Sequence, residues 1–545
     1  MNKKKDIPFR WSRRLASTLI VFLVISSCTD SFDLYNTDKS QMMAVGPKQL
    51  AAMFSRTQFQ YCSWLSTDNY SRMSSTAANH LSGFTACAIF NQEQNILSLG
   101  WQNTGFNSQF TGAYPVLQSI LEVSRDKDVL AFNVGLIWKA MIFHRLTDIW
   151  GPIPYKEAGS GQEIVRYESQ KDVYYNMFED LDKAITVLKS EALKVPSANV
   201  FGIGDMIYSG DVNKWIKLGN SLRLRLALRI SNIDPAKAKA EAEAAAIGPL
   251  METNADDALL DVSKWGSGGN GMPRMESFFQ DVMSTSMESY LVGYNDPRLQ
   301  EFFSPVLADA TMNAAGYPVE FKNNVGGYHG MTHGYEPVLI NFFRAHSKYG
   351  ARFKDGNQLV TRINIMHAAE TWFLKAEGAW RGWNMGSGSA QSFYEKGIET
   401  SIKQWRGAAF PQSQIDAYIS STTLPVAPNN HPYYDPPVAN IPVKFSADKN
   451  TQYEQIITQK WIALFPISFE AWAEYRRTRL PKIYAKKYTA NANVDPTKGQ
   501  IITRFPFTNN EVAAQPKQIE IATQLLGGPN LETTPLWWDV NKYGN

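Results

Sequence analysis

Apolar residues recur at spacings of three and four over several long stretches of the chain, the period of an amphipathic helix. In SQKDVYYNMFEDLDKAITVLKS the apolar set is Tyr174, Met177, Phe178, Leu181, Ala184, Ile185 and Leu188, and Ser169 with Asp172 supplies a capping arrangement at the start. The stretch GDVNKWIKLGNSLRLRLALRIS is ambiguous. Leu222, Leu224, Leu226 and Leu228 alternate as on a strand, whereas Asp211 is a good N-cap for a helix covering Val212, Trp215, Ile216 and Leu218. We assign a helix with leucines on two sides, lying between neighbours in a layered array, with Arg223, Arg225 and Arg229 snorkelling or pairing at its edges. HAAETWFLKAEGAWRGWNMGSGSAQSFYEKGIETSIKQW predicts helix, glycine-rich turn, helix. Small residues Ala368, Ala369, Ala376, Gly378 and Ala379 make room for Phe393, Ile398 and Trp405. One such pair cannot bury its own apolar face and needs neighbours, the logic of tetratricopeptide-like repeats. Residues 448–478 carry another helical pattern, interrupted at Pro466, while 251–360 and 421–447 are rich in Gly, Pro, Asn and aromatics and predict long loops with short strands or helices.

The N-terminal segment obeys other rules. Lys3, Lys4, Lys5, Arg10, Arg13 and Arg14 precede the apolar run LASTLIVFLVI. Eleven helical residues rise roughly 16 Å, about half a bilayer's hydrocarbon thickness, so the run predicts an export signal and not a membrane span. VISSC follows, and it resembles the lipobox of bacterial lipoproteins, which implies acylation of Cys28 after removal of residues 1–27. Residues 28–45 then read as a lipidated tether. Losing those six basic residues and Asp6 changes the formal net charge from +3 to −2, which removes the electrostatic case for a nucleic-acid partner. Cys62 and Cys87 remain, as one disulfide or as two buried thiols.

Catalytic signatures are sparse. The chain contains no G-x-S-x-G, H-E-x-x-H, G-x-x-x-x-G-K-[ST] or C-x-x-C. GSGGNG at 266–271 is followed by Met272-Pro273 where a phosphate-binding helix should begin. His329 and His333 in HGMTH sit among glycines that disfavour a metal-binding helix, and His144 with Asp148 reads best as a hydrogen bond on a helix surface. The expectation is a protein that is not an enzyme, with no cofactor and no metal. Loops instead concentrate aromatics and amides, in CSWLSTDNYSRM, LGWQNTGFNSQF, SKWGSGGNGMPR and ESYLVGYND. Flat rings stack on apolar sugar faces and neighbouring amides bond hydroxyls. This reading makes Trp64, Tyr70, Trp101, Trp265 and Tyr294 stacking surfaces, with Asn69, Arg72 and Asn103 as polar contacts.

LTDIWGPIPYKEA, with Cys28 in VISSC, YNMFEDLDKAI, DMIYSGDVNKWIKLGNSLRLRLALRIS, YNDPRLQEFFSP, ETWFLKAEGAWRG and TPLWWDV, spans the mature chain in an order that resembles the SusD/RagB family of outer-membrane nutrient-binding lipoproteins, in particular SusD-like subgroup two. Pro152 departs from the acidic or polar residue frequent in the family and leaves the turn intact. The resemblance implies a mainly α, SusD-like fold of tetratricopeptide-like helix pairs with long loops and a few short strands. Residues 46–545 then form a single domain, with a helical scaffold over 46–250 and 361–480, a loop-rich ligand-facing insert over 251–360 and an irregular C-terminal part over 481–545. It also implies a cell-surface lipoprotein of the outer membrane that binds a nutrient oligosaccharide and delivers it to a SusC-like TonB-dependent transporter, acting as its lid. Peptide delivery in the same role, a glycan-processing enzyme and a helical-repeat scaffold are the alternatives, and stacking aromatics favour glycan. In this frame the 146–158 corner is a rigid joint, where Gly151 breaks the helix and Pro152 and Pro154 hold its exit extended.

Overall fold

The computed structural model describes residues 46–66, 76–83, 95, 103, 105–263, 270, 281–313, 317–334, 344–354 and 362–540; side chains are described for these except residues 63–66 and 311. Residues Leu50–Asn545 form one compact unit. Its α-helices longer than one turn are α1 (Pro47–Ser66), α2 (Tyr114–Ser124), α3 (Val129–Trp150), α4 (Gln170–Lys194), α5 (Val212–Arg229) and α6 (Pro235–Ile247), then α7 (Thr285–Gly293), α8 (Ala368–Trp380), α9 (Ala390–Arg406), α10 (Gln412–Ile419), α11 (Lys449–Ala463), α12 (Ser468–Thr478), α13 (Asn509–Ala514) and α14 (Pro516–Leu526). Short strands are few: β1 (Leu81–Ser82) pairs antiparallel with β3 (Val282–Met283), and β2 (Ala258–Leu260) pairs antiparallel with β4 (Ile363–Met366).

Successive helices pack as neighbours: α2 on α3, α3 on α4, α4 on α5, α5 on α6, and α8 on α9 with α11 against both. Each start has a local cause. Asp128 accepts from Ala131 N at 3.0 Å before α3, Ser169 from Asp172 N at 3.1 Å before α4, and Asp211 from Asn213 N at 2.9 Å before α5. Helix α5 resolves the leucine ambiguity. Leu222, Leu224, Leu226 and Leu228 are all buried because the helix is covered by α3 and α4, by α6 and by α8. Close approach of α8 and α9 needs the absence of a side chain at Gly397, where a Cβ would lie 2.9 Å from the Phe373 ring. Helix α1 crosses α3 and α5 through Phe54, edge-on to Trp138 and Trp215, and through Tyr61, whose hydroxyl donates to Met141 O at 3.2 Å.

Two expectations need correction. Arg225 and Arg229 pair, as one of the two alternatives had it, but they neither snorkel nor lie at an edge: both are buried, because α8 and α12 bring carboxylates to them in the interior. Within 251–360, the stretch that includes α7 belongs to the core and not to a ligand-facing surface. Met287, Tyr290, Leu291, Phe302 and Phe303 are buried, and Arg298 is held at 0% exposure by Asp296 at 2.6 Å, Ser401 at 2.9 Å and Gln459 at 2.8 Å.

Candidate functional site

The corner after α3 is a joint without exposed chemistry. Gly151 ends the helix at φ +87°, its N–H donating to Thr147 O at 2.8 Å while its own carbonyl accepts from Thr147 Oγ1 at 2.7 Å. Trp150 is buried edge-on between Phe106 and Phe505, and its carbonyl accepts from Arg504 Nε at 3.2 Å and Nη2 at 3.0 Å. Tyr155 donates to Asp180 Oδ2 at 2.7 Å and lies edge-on to Phe143, so the exit is fastened to α4 and α3. His144 and Asp148 do not bond each other on a helix surface; both are buried. His144 Nδ1 faces Met141 O at 2.7 Å, and burial, with Arg225 and Arg145 adding to it, holds the ring neutral well below its usual range. Asp148 accepts from the Tyr174 hydroxyl at 2.5 Å and Trp538 Nε1 at 2.9 Å.

Behind this corner runs a buried chain of charges. Arg225 forms a fork on Glu370, Nε to Oε1 at 2.7 Å and Nη2 to Oε2 at 2.6 Å. Arg229 contacts Glu470 and, at 2.9 Å, Glu474. Glu474 also holds Lys460 at 2.7 Å and Arg477 at 2.6 Å, and Arg477 forks onto Glu377 at 2.7 and 2.6 Å. Burial alone would raise the Glu470 carboxyl, but Arg225 and Arg229 overcome it and bring it down to about 2. These groups are ion-paired and closed to solvent, so they tie α5, α8, α11 and α12 together and present no group to a substrate.

A cleft opens elsewhere. Its walls come from Thr76, Ala77, Asn79 and Asn95 and from Trp472, Tyr475, Pro496 and residues 483–486 and 499–502. Tyr484 is fixed as a wall because its hydroxyl donates to Pro436 O at 2.5 Å and its N–H to Ser286 Oγ at 3.1 Å. Asn79 adopts φ +65° and donates from Nδ2 to Tyr484 O at 3.2 Å, and its buried Oδ1 has no donor among the described residues. Trp472 donates from Nε1 to Ile502 O at 3.2 Å and carries the Arg476 guanidinium 3.7 Å from its ring centre.

Few of the sequence-derived candidates fall on described side chains. Cys28, Asn69, Tyr70, Arg72, Trp101 and Trp265 lie outside the described residues, as does the side chain of Trp64, whose backbone is in α1. Asn103 is half-buried, its Oδ1 accepting from Asn510 N at 3.5 Å. Tyr294 is no stacking platform: it is 2% exposed, and its hydroxyl donates to Ile441 O at 2.8 Å, since α7 turns it inward. Cys62 is a free, buried thiol; Cys87 and most of GSGGNG lie outside the described residues. His329 bonds Glu288 at 3.0 Å in a loop, and no group of three or more His, Cys, Asp or Glu fit to hold a metal occurs among the described residues.

The sequence reading missed the cleft. Asn79 sits in TAANHLSG, whereas Tyr475, Tyr484 and Gln500 are some four hundred residues further on, in stretches read as scaffold or irregular tail.

Known proteins provide an external comparison. A chitin-binding SusD homologue from Flavobacterium johnsoniae is 31% identical, with a TM-score of 0.76 over 91% of this chain and 99% of that one. A SusD homologue from Bacteroides uniformis is 29% identical, with a TM-score of 0.76 over 90% and 99%. A further structure described as a chitin-binding protein is 28% identical, with a TM-score of 0.71 over 90% and 100%. No curated protein matches the chain. The family model for SusD-like Susd and RagB outer membrane lipoproteins matches residues 35–539, so the chain belongs to that family.

Proposed function

We propose that this lipoprotein binds a nutrient oligosaccharide at the cell surface and passes it to a SusC-like TonB-dependent transporter, over which it acts as a lid. Cys28 is its acylation site, and Trp64, Tyr70, Trp101 and Trp265 supply stacking faces beside Asn69, Arg72 and Asn103. The observation that carries this reading is the full-length likeness to a chitin-binding homologue. The buried ion pairs of Arg225 with Glu370 and of Arg477 with Glu377 support binding over catalysis, since they engage these carboxylates away from solvent. Capture by lid and barrel together raises effective affinity without covalent chemistry, and closure commits the ligand to import.

Calorimetry of the mature protein against chitin-derived, starch-derived and cellulose-derived oligosaccharides and a peptide panel tests the ligand class. Saturable binding of a glycan without product release is the expected result. Trp64→Ala and Trp101→Ala should each weaken it about tenfold or more, as loss of one stacking ring does. Turnover of the glycan, or binding of peptides alone, overturns the reading. Co-purification from detergent-solubilised outer membranes tests the transporter, and recovery of the lipoprotein without any TonB-dependent barrel removes the lid role.

A further inference from the structure

The three most exposed large aliphatic side chains among the described residues share one end of the helical bundle. Leu193 is 85% exposed, Ile203 83% and Ile247 85%, and Val195, beside the first, is 54% exposed. Helix termini define this end: α4 stops at Lys194 and α6 at Ile247, while α5 starts at Val212. Pro196 O accepts from Asn213 Nδ2 at 2.9 Å and Ala198 O from Val212 N at 3.3 Å, so the exit of α4 meets the entry of α5. The exit of α6 joins them, since Pro249 O accepts from Asn220 Nδ2 at 3.0 Å and a Cβ on Gly248 would lie 2.8 Å from Lys189 Nζ, one turn before Leu193. Ile203 stands in the Gly202–Gly204 turn, where Gly204 O accepts from Ser55 Oγ at 2.6 Å and a Cβ on Gly204 would lie 2.5 Å from Ala51 O. The start of α1 therefore lies at this same end.

Aliphatic residues scattered singly over a surface carry no message, but the three most exposed gathered at one end do. A protein partner needs a contiguous, shape-complementary patch. A lipid surface is fluid, and needs only that protruding aliphatic tips share one end with cations for the headgroup phosphates. Lys189, Lys194 and Lys214 belong to these same helix ends, with Glu191 held by Lys194 at 2.7 Å. The path of the chain points to the same occupant. Residues 29–49 alone separate Cys28 from Leu50, where the compact unit begins, and a pull from the membrane acts at that point of entry, on this end of the bundle. We propose that Leu193, Ile203 and Ile247 rest in the headgroup layer of the membrane that holds the anchor, and so fix the orientation in which the lipoprotein stands on it. This contact rests on the reading of Cys28 as the anchor. It supplies orientation and not retention, because three side chains at an interface are too few to hold a protein without its acyl chains.

The test places the full lipidated protein in vesicles of phosphatidylethanolamine and phosphatidylglycerol that carry a nitroxide-labelled lipid as quencher. A fluorophore is attached at Leu193→Cys, Ile203→Cys, Ile247→Cys or, as reference, Leu307→Cys, and the unsubstituted protein sets the background from its own thiols. Quenching should be at least about threefold stronger at the three positions than at Leu307, which is 71% exposed and belongs to none of these helix ends. Quenching no stronger than at Leu307 overturns the proposal. A label at Val195→Cys, alone and combined with Leu193→Ser, Ile203→Ser and Ile247→Ser, then separates the aliphatic contact from mere nearness to the tether. The triple change should bring quenching down to the Leu307 level with the melting temperature unchanged, because these side chains already stand in solvent. Undiminished quenching means that the tether alone brings this end to the lipid, and the proposal fails. It fails equally if the triple change spares the quenching and lowers recovery of a TonB-dependent barrel on co-purification, which makes this end a protein contact. If wild type does not float with the vesicles, the anchor reading itself fails and takes the contact with it.

Discussion

Arg225→Met isolates what one buried ion contributes. The guanidinium is 0% exposed, forks onto Glu370 at 2.7 and 2.6 Å, and stands 3.6 Å from Glu470. Methionine keeps much of the volume but leaves Glu370, 1% exposed, without a cation, whereas Glu470 keeps Arg229. Stranding one member of such a pair costs about 3–5 kcal/mol. The carboxyl has one escape, which is to take a proton, and this caps the loss. With an ordinary carboxyl near 4.3, protonation costs about 1.4 kcal/mol per pH unit above it, so roughly 3.7 kcal/mol at pH 7 and about 1 at pH 5. An unfolding entropy of about 2 cal/mol/K per residue over roughly 500 residues gives about 1 kcal/mol/K, so the variant should melt about 3–4 °C below wild type at pH 7 and about 1 °C below at pH 5. Arg225→Met with Glu370→Leu removes both charges and should recover most of the loss at pH 7. Differential scanning fluorimetry of the three proteins at both pH values reads this directly. A single variant within 1 °C of wild type at pH 7, a gap that does not narrow at pH 5, or a double variant no better than the single would refute the reasoning.

Asp257 accepts from Ala368 N at 2.7 Å at the start of α8, and burial pushes its carboxyl up to about 7. The folded state therefore holds a proton that the unfolded chain releases between about pH 4 and 7, and this group's contribution to stability falls as pH rises through that window. Asp257→Asn keeps the acceptor and loses the titration, so its melting temperature relative to wild type should climb from pH 5 to pH 8; a flat difference would count against it. Gly151→Ala forces a side chain into φ +87° and puts a Cβ 3.2 Å from both Leu526 and Leu536, which should cost about 1–3 kcal/mol by the same melting assay. Cys28→Ser should move the protein from the outer-membrane fraction to the soluble periplasm, and retention in the membrane would exclude Cys28 as the anchor.

Helices were legible wherever one face repeats at the helical period and a capping side chain marks the start, as in α4 with Ser169. The α8–α9 pair was legible through its small residues, and 421–447 through its lack of period. The placement of charge was not. Arg225 and Arg229 look like edge residues in a sequence because their partners, Glu370, Glu470 and Glu474, are supplied from helices far along the chain. Tyr294 failed for a related reason: ESYLVGYND reads as a polar aromatic loop, but α7 is enclosed and Tyr294 at its end is turned inward. Loop composition reports which side chains are available, while the direction of a ring depends on what packs behind it.

The interior charges also matter before the protein folds. An outer-membrane lipoprotein must first cross the inner membrane, and α3 is long and apolar enough, by length and composition, to lodge there. Lys139, Arg145 and Asp148 are set along it. Each ionised side chain near the middle of a bilayer-spanning helix costs the translocation machinery about 2.5–3.5 kcal/mol, against a gain of a few tenths for each aliphatic neighbour. Lys139 lies at the middle of α3, where this cost applies in full, and tips the helix toward passage and away from lateral release into lipid, so a residue later paired with Asp180 at 3.1 Å first keeps its helix out of the membrane.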